Sequence, residues 1–292
     1  MSPAAEQVAL DRIAVVADGL DHPEGVAVGA DGTLYAGGEA GQLYRIDQAT
    51  GAVEELACSG GWILGLALDC DDTIVACDPK RRELLAVTPE GEIAVLSRGT
   101  AELPMTNPNW PVFSDDALYV SDSGTWEGAE GRIYRVAGDG ATELWCDALP
   151  RFTNGMALNG AGDALFVVES TGPSVSRVPI LADGSAGEPE LVLELPGTVP
   201  DGLAFDEEGA LYIACYRPDR IYRLDRHGDL AVVADDFQGT VVGAPTNVAL
   251  GGRDGRDLFI ASLARWHVGR LRVAVPGLPL RYPSLRSIRG RR

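Results

Sequence analysis

Pro200-Asp201-Gly202-Leu203-Ala204-Phe205 is the clearest copy of a phrase that recurs along this chain: a polar residue, a glycine and a short apolar run. Six segments carry the phrase or a variant of it, and the residues that follow the polar position are spaced 40 to 47 residues apart. We call the position before the glycine or its replacement the marker; it is polar in five of the six segments. The six markers are Glu24, Leu64, Asn109, Asn154, Asp201 and Thr246. A period of this length is typical of four-stranded propeller blades.

The rest of each repeat reads as further strands. A turn such as Ala30-Asp31-Gly32 follows the first apolar run and leads into a second strand such as Leu34-Tyr35-Ala36. The third strand alternates polar and apolar residues, as in Arg220-Ile221-Tyr222-Arg223-Leu224, and period two indicates a strand. Since useful helix-period segments are absent, we predict an all-β, six-bladed β-propeller with four-stranded blades.

The repeats continue without a linker, so we expect a single domain over 1–292, with the propeller at about 13–277. Ile13-Ala14-Val15-Val16-Ala17 has no partner in the first repeat and is predicted to close the last blade as its outer strand. A basic tail follows at about 278–292. We expect this tail to pair loosely with the acidic body, with an anion-binding or partner-binding arm as the alternative.

The charge and hydrophobicity of the chain limit the kinds of molecule that it is expected to bind. The net charge of −19 argues against nucleic acid and anionic membranes as partners, because phosphate binding requires a cationic face. No apolar run approaches the roughly 20 residues that a membrane span needs. The first twelve residues lack the apolar core of a secretory signal, so we expect a cytoplasmic protein.

Four markers carry side-chain oxygens. The first strand of every blade lines the central channel of a propeller, so equivalent positions form a ring at one mouth. Four residues of this ring are the predicted metal ligands: Glu24, Asn109, Asn154 and Asp201. This all-oxygen set suits one Ca²⁺, Mg²⁺ or Mn²⁺ ion better than a metal that prefers soft ligands, although Zn²⁺ also accepts carboxylate oxygen. Turn chemistry is the other explanation for Asn or Asp before Gly, but it does not explain Glu24.

With these phrases the chain resembles the SMP-30/gluconolactonase/LRE family of six-bladed propellers, from Leu20 to about Val275. The resemblance implies a divalent cation, commonly Ca²⁺, held by Glu24, Asn154 and Asp201. It also implies that Asn109 joins the ligands or meets the substrate. The implied reaction is hydrolysis of lactones, or of related esters and phosphoesters.

The surroundings of the third marker depart from the sugar-lactonase members of that family. Those members have Arg two residues before the Asn and Asp after it, whereas this chain reads Asn107-Pro108-Asn109-Trp110. Trp110, with Trp62 and Trp126 on loops expected at the same mouth, predicts a more aromatic substrate pocket and favours a less polar lactone or ester. Capping of the blades is the alternative role for these tryptophans.

Asp201 is predicted to be the general base, with Glu24 as a plain ligand. His267 is predicted to reach the mouth from a loop and to contact the substrate. We therefore predict a metal-dependent lactonase or esterase that acts on a small molecule; the sequence indicates no oligomeric state. The alternatives are an organophosphate or phosphoester hydrolase, a non-catalytic calcium-binding scaffold, and a strictosidine-synthase-like condensing enzyme that uses Glu169.

Overall fold

The computed structural model describes residues 7–290, which form six four-stranded antiparallel sheets. The first strands of successive blades contact one another all the way round the ring, and that of the sixth blade contacts that of the first. The predicted six-bladed β-propeller is therefore confirmed. No helix within residues 7–290 is long and apolar enough to cross a membrane. Arg291 and Arg292 of the basic tail lie outside the described residues.

The strands follow the repeats. Blade 1 contains β2 to β5, which are Val26–Val28, Leu34–Gly37, Gln42–Ile46 and Val53–Cys58. Blade 2 contains β6 to β9, which are Leu66–Leu68, Ile74–Asp78, Glu83–Val87 and Ile93–Ser97. Blade 3 contains β10 to β13, which are Pro108–Phe113, Leu118–Asp122, Arg132–Val136 and Thr142–Cys146. Blade 4 contains β14 to β17, which are Thr153–Leu158, Ala164–Glu169, Ser174–Pro179 and Glu190–Glu194.

The last two blades bring the ends of the chain together. Blade 5 contains β18 to β21, which are Val199–Phe205, Leu211–Arg217, Arg220–Leu224 and Leu230–Asp235. Blade 6 contains β22, β23, β24 and β1, which are Pro245–Gly251, Asp257–Ser262, His267–Arg272 and Ala14–Asp18. Strand β1 pairs antiparallel with β24, as predicted. Short 3₁₀ turns occupy Leu10–Arg12, Leu263–Arg265 and Leu285–Ser287.

The hydrophobic core lies between the blades. Successive side chains of a strand point to opposite faces of its sheet, so each inner strand packs on both neighbouring blades. In β14, Met156 is buried in one cluster with Tyr119 of blade 3, whereas Ala157 packs against a different cluster that contains Leu203 of blade 5. The alternation read from the sequence thus builds six similar interfaces around the ring.

The glycine after the marker is required by packing between blades. Neither Gly25 nor Gly155 has a positive φ, and Gly155 lies within β14. A Cβ on Gly25 would lie 2.2 Å from the Leu64 carbonyl oxygen, and a Cβ on Gly155 would lie 2.2 Å from the Asp201 carbonyl oxygen. The close approach of neighbouring inner strands explains these glycines, so turn chemistry does not.

The C-terminal tail packs across the end of the channel opposite to the markers. The Tyr282 hydroxyl donates a hydrogen bond to the Val28 carbonyl oxygen at 2.9 Å, and the Leu285 N–H donates to Asp69 Oδ2 at 3.0 Å. Leu285 and Ile288 are buried in the core between blades 2 and 3. The expectation of a loosely paired extension is therefore wrong, because the tail carries apolar side chains that the blades bury.

Candidate functional site

The marker residues form one layer at one mouth of the channel. The Gly65 N–H donates to the Asn109 carbonyl oxygen at 2.9 Å, which joins blade 2 to blade 3. The Thr246 hydroxyl donates to the Glu24 carbonyl oxygen at 2.7 Å, which joins blade 6 back to blade 1. These contacts, with the close approaches at Gly25 and Gly155, place the starts of the inner strands at one height.

Two carboxylates of this layer, those of Glu24 and Asp201, interact across the channel. Both are enclosed by the channel wall and keep only part of their surface open. Burial, and then the charge of Glu24, raise the pKa of Asp201 well above its usual value, while a hydrogen bond from Asn154 opposes the shift. Burial raises the pKa of Glu24 to about 7. A divalent cation between them would offset both the burial and the repulsion.

Asn154 is held by a serine that also contacts the next blade. Asn154 Nδ2 donates to Ser170 Oγ at 3.0 Å, and Ser170 Oγ donates to the Pro200 carbonyl oxygen at 2.7 Å. Since the single hydroxyl hydrogen of Ser170 is used on Pro200, the serine can only accept from Asn154. This fixes the amide with Nδ2 toward Ser170 and Oδ1 away from it.

Asn109 has the same arrangement one blade earlier. Its Nδ2 donates to Ser123 Oγ at 2.9 Å, and Ser123 Oγ donates to the Thr153 carbonyl oxygen at 2.8 Å. Each serine therefore links one marker asparagine to the residue just before the next marker. Our sequence analysis missed both serines. The available signal was an acidic residue followed by Ser at the end of the second strand, as in Asp122-Ser123.

The oxygen of Asn154 supports a cation at this mouth. Asn154 Oδ1 is buried and has no hydrogen-bond partner among residues 7–290. A buried acceptor without a donor costs about 1–3 kcal/mol, so a native site is expected to satisfy it. Two carboxylates and amide oxygens are hard donors, and these residues therefore fit a hard divalent cation.

Acidic residues at the ends of the second strands hold the loops that enter the ring. Asp122 Oδ1 accepts from the Asn107 N–H at 2.6 Å, and Glu169 Oε1 accepts from the Arg151 N–H at 2.8 Å. Glu169 also pairs with the Arg151 guanidinium and is buried. These contacts account structurally for Glu169, the residue on which the condensing-enzyme alternative depends.

A histidine cluster lies beside Glu24. His22 Nδ1 is 2.9 Å from Asp21 Oδ1 and 3.0 Å from Glu39 Oε2. The His22 ring packs against Trp266 at a tilt of 59°, with 4.7 Å between centroids. Hydrogen bonding to His22 lowers the pKa of Asp21. Both carboxylates approach the same ring nitrogen at hydrogen-bond distance, so contacts within the protein account for this cluster.

The predicted aromatic residues are divided between the mouth and the channel. Trp126 is 48% exposed and packs edge-on against Phe152, on the loop that leads to Asn154, with 4.8 Å between centroids. Trp62 is half-buried, and its Nε1 is sealed from solvent without a hydrogen-bond partner among residues 7–290. Trp110 is buried and lines the channel instead of the rim.

His267 begins strand β24 and does not lie in a loop. It is buried, and its Nε2 is 2.8 Å from the Val241 carbonyl oxygen. Burial lowers the pKa of His267. The structure thus gives this ring a backbone partner on the segment between β21 and β22, in place of the expected open position at the mouth.

Comparisons of the sequence and of the fold with known proteins lead to the same group of six-bladed propellers. The model of the SMP-30/gluconolactonase/LRE-like region matches residues 23–264. The 6-deoxy-6-sulfogluconolactonase of Pseudomonas putida is 29% identical over 271 residues, covering 82% of this chain and 86% of that protein. A gluconolactonase structure from Xanthomonas campestris has a TM-score of 0.77 at 20% identity, covering 94% of both chains. A calcium-binding regucalcin from Agrobacterium tumefaciens has a TM-score of 0.74 at 19% identity, covering 95% of this chain and 96% of that one.

Proposed function

Because this chain belongs to the SMP-30/gluconolactonase/LRE-like family, we propose that it is a divalent-metal-dependent lactonase. One observation carries the proposal. The largely enclosed carboxylates of Glu24 and Asp201 share a channel mouth with the unpartnered Oδ1 of Asn154. A propeller that served only as a scaffold would have no reason to enclose these groups together, since burying carboxylates without a counter-charge is costly.

Glu24, Asn109, Asn154 and Asp201 would hold the cation, with Ca²⁺ as the first candidate. When bound, such an ion polarises a carbonyl oxygen as a Lewis acid. Asp201 is the general base in this proposal and takes the proton from the attacking water. Ser170 keeps the Asn154 amide turned so that Oδ1 stays available, and Ser123 does the same for Asn109.

The proposed substrate is a small, fairly apolar lactone or ester. Its support is the aromatic character of the mouth, where the pairs Trp126–Phe152 and His22–Trp266 stand on loops at the marker end. Aromatic side chains offer large apolar contact areas, so alkyl-substituted lactones would bind there at the expense of polyhydroxylated ones. The relative from Pseudomonas putida is named for a sugar lactone, which makes gluconolactone the necessary comparison.

Metal analysis and a substrate panel test this function together. We expect about one divalent cation per chain, loss of hydrolysis after chelation, and recovery when Ca²⁺ is returned. The panel should contain alkyl γ- and δ-lactones, gluconolactone, an aryl ester and an aryl phosphotriester. Full hydrolysis by the metal-free protein would overturn the metal dependence. Metal binding without any turnover would favour the calcium-binding scaffold, and preferred phosphotriester turnover would favour the phosphoester hydrolase.

A further inference from the structure

A separate cavity of about 170 Å³ occupies the other half of the channel. Residues at or next to the last position of each inner strand line it: Val28, Leu68, Phe113, Leu158, Phe205 and Leu250. Asp201 and Phe205 are four residues apart on one strand, which places this layer about 13 Å from the marker layer. None of the four proposed metal ligands lines the cavity.

Trp110 and the C-terminal tail bound the cavity at its two ends. The indole of Trp110 crosses from blade 3 toward blade 5, because a Cβ on Gly202 would lie 3.0 Å from Trp110 Cη2. At the other end, residues 278–282 of the tail complete the wall. The backbone of Leu278 is tied to the Phe205 carbonyl oxygen at 2.9 Å, so this end is built by tertiary contacts.

The lining is apolar and electrically neutral. Arg281 is the only charged residue among the lining residues, all of which are described, and its guanidinium pairs with Asp115. Tyr282 uses its hydroxyl on Val28. The lining therefore contains no free charge that would select an ionic ligand.

One polar atom of this lining lacks a partner. Asn247 is 1% exposed, and its Nδ2 donates to the Val26 carbonyl oxygen at 3.3 Å. Asn247 Oδ1 is sealed and unpartnered among residues 7–290. If the amide were flipped, Oδ1 would face the Val26 carbonyl oxygen, and both atoms are acceptors. The orientation with Nδ2 toward Val26 is therefore retained, and Oδ1 lacks a donor.

We propose that this cavity, which we call the lower cavity, is a second binding site for a neutral ring molecule of about phenol size that carries one O–H or N–H donor. Apolar cavities of roughly 150 Å³ accept a benzene-sized molecule, so the volume is sufficient. The ring packs against Trp110 and the leucines of the strand ends. Because Asn247 Oδ1 has almost no open surface, its side chain moves slightly on binding to accept the donor. The site is independent of the proposed metal centre.

Phenol is the probe, and anisole is its matched control, because anisole has similar size and lacks the donor. We expect calorimetry to give phenol a Kd of about 1 mM or tighter. Phenol should bind at least about fivefold more tightly than anisole, and Asn247→Leu should remove that preference. Chelator-treated protein should bind phenol equally well, which separates this site from the proposed lactonase centre.

Filling the lower cavity tests the location. Val112 lines the cavity, so Val112→Phe should weaken phenol binding at least about tenfold. Val192→Phe makes the same change at an exposed position of blade 4 and should leave binding unchanged. Should Val112→Phe fail to fold, nuclear Overhauser contacts from phenol to the methyl groups of Leu278 and Leu280 locate the ligand in the native protein. Absence of phenol binding at 10-fold above the expected Kd, or unchanged binding in a folded Val112→Phe, overturns the site. Equal affinities for phenol and anisole overturn the role of Asn247.

Discussion

Replacement of Gly155 by alanine tests whether the spacing of the inner strands sets the geometry of the marker ring. The added Cβ would lie 2.2 Å from the Asp201 carbonyl oxygen, whereas ordinary contacts of a Cβ lie at 3.4–4 Å. The obstructing atoms are backbone, which cannot rotate away. Strand β18 must therefore move outward from β14, and Asp201 moves with it.

Two effects of known size follow. Overpacking of this kind costs about 1–3 kcal/mol of the free energy of unfolding. Displacing Asp201 by about 1 Å relative to Glu24 and Asn154 should lower calcium affinity and cost about 10²-fold in turnover, since a misplacement of this order has that effect on catalysis. Urea denaturation, calcium titration calorimetry and turnover of the best lactone from the panel measure the three quantities.

Gly160→Ala is the matched control in the same blade. Gly160 has no positive φ, and its added Cβ would meet only the two methyl groups of Leu278, at 3.3 and 3.9 Å, at the end of a flexible side chain. We expect a change within about 0.5 kcal/mol and unaltered calcium binding. If Gly155→Ala matches this control in calcium affinity and turnover, the spacing of β14 and β18 does not position the site.

Asp201→Asn should lower turnover by about 10²–10⁴-fold even at saturating metal, whereas the turnover of Glu24→Gln should recover at high metal concentration. Measuring kcat against calcium concentration distinguishes the two variants. The opposite pattern would assign the general base to Glu24. The raised pKa of Glu24, about 7, means that this group stabilises the metal-free fold at low pH and that this contribution is lost as pH rises toward and through about 7. In thermal melts of metal-free protein, the wild type should therefore lose stability relative to Glu24→Gln between pH 5 and 8. Added calcium should stabilise the wild type more at pH 8 than at pH 5. A stability difference that does not change with pH would contradict the raised pKa of Glu24. Leu285→Ala should cost about 2–5 kcal/mol in urea denaturation because the side chain is buried under blades 2 and 3, while exposed Arg286→Ala should change little; equal effects would contradict the packed tail.

The propeller could be predicted from the sequence because its determinants are local and repeated. Period-two alternation identifies each strand, and the spacing of the markers counts the blades. The same regularity brought Glu24, Asn154 and Asp201 into one predicted layer, and the structure places them at one mouth. The assignment of these residues as metal ligands remains a prediction.

Other features of the site and the core depend on which segments, distant in sequence, come into contact. Local sequence patterns do not indicate these contacts. The phrase Asn-Gly reads equally well as a turn, and only the approach of β18 to β14 explains Gly155. Ser170 follows an acidic residue at the end of a second strand, but this pattern does not identify its partners Asn154 and Pro200, which come from two blades. Similarly, Trp110 follows a marker, yet Gly202 across the channel leaves room for its indole to extend into the interior.

The sequence by itself therefore determined the number of blades, the strand that closes the ring and the residues that share the marker layer. Those properties follow from the alternation of side chains and from a repeat period, both of which are visible along the chain. Only the tertiary structure decided the orientation of the marker amides, the burial of the tail and the division of the channel into a polar mouth and an apolar lower cavity. Each of these results from close packing between segments that lie on different blades, where a carbonyl oxygen, a hydroxyl or an indole from one segment fills or closes the space left by another.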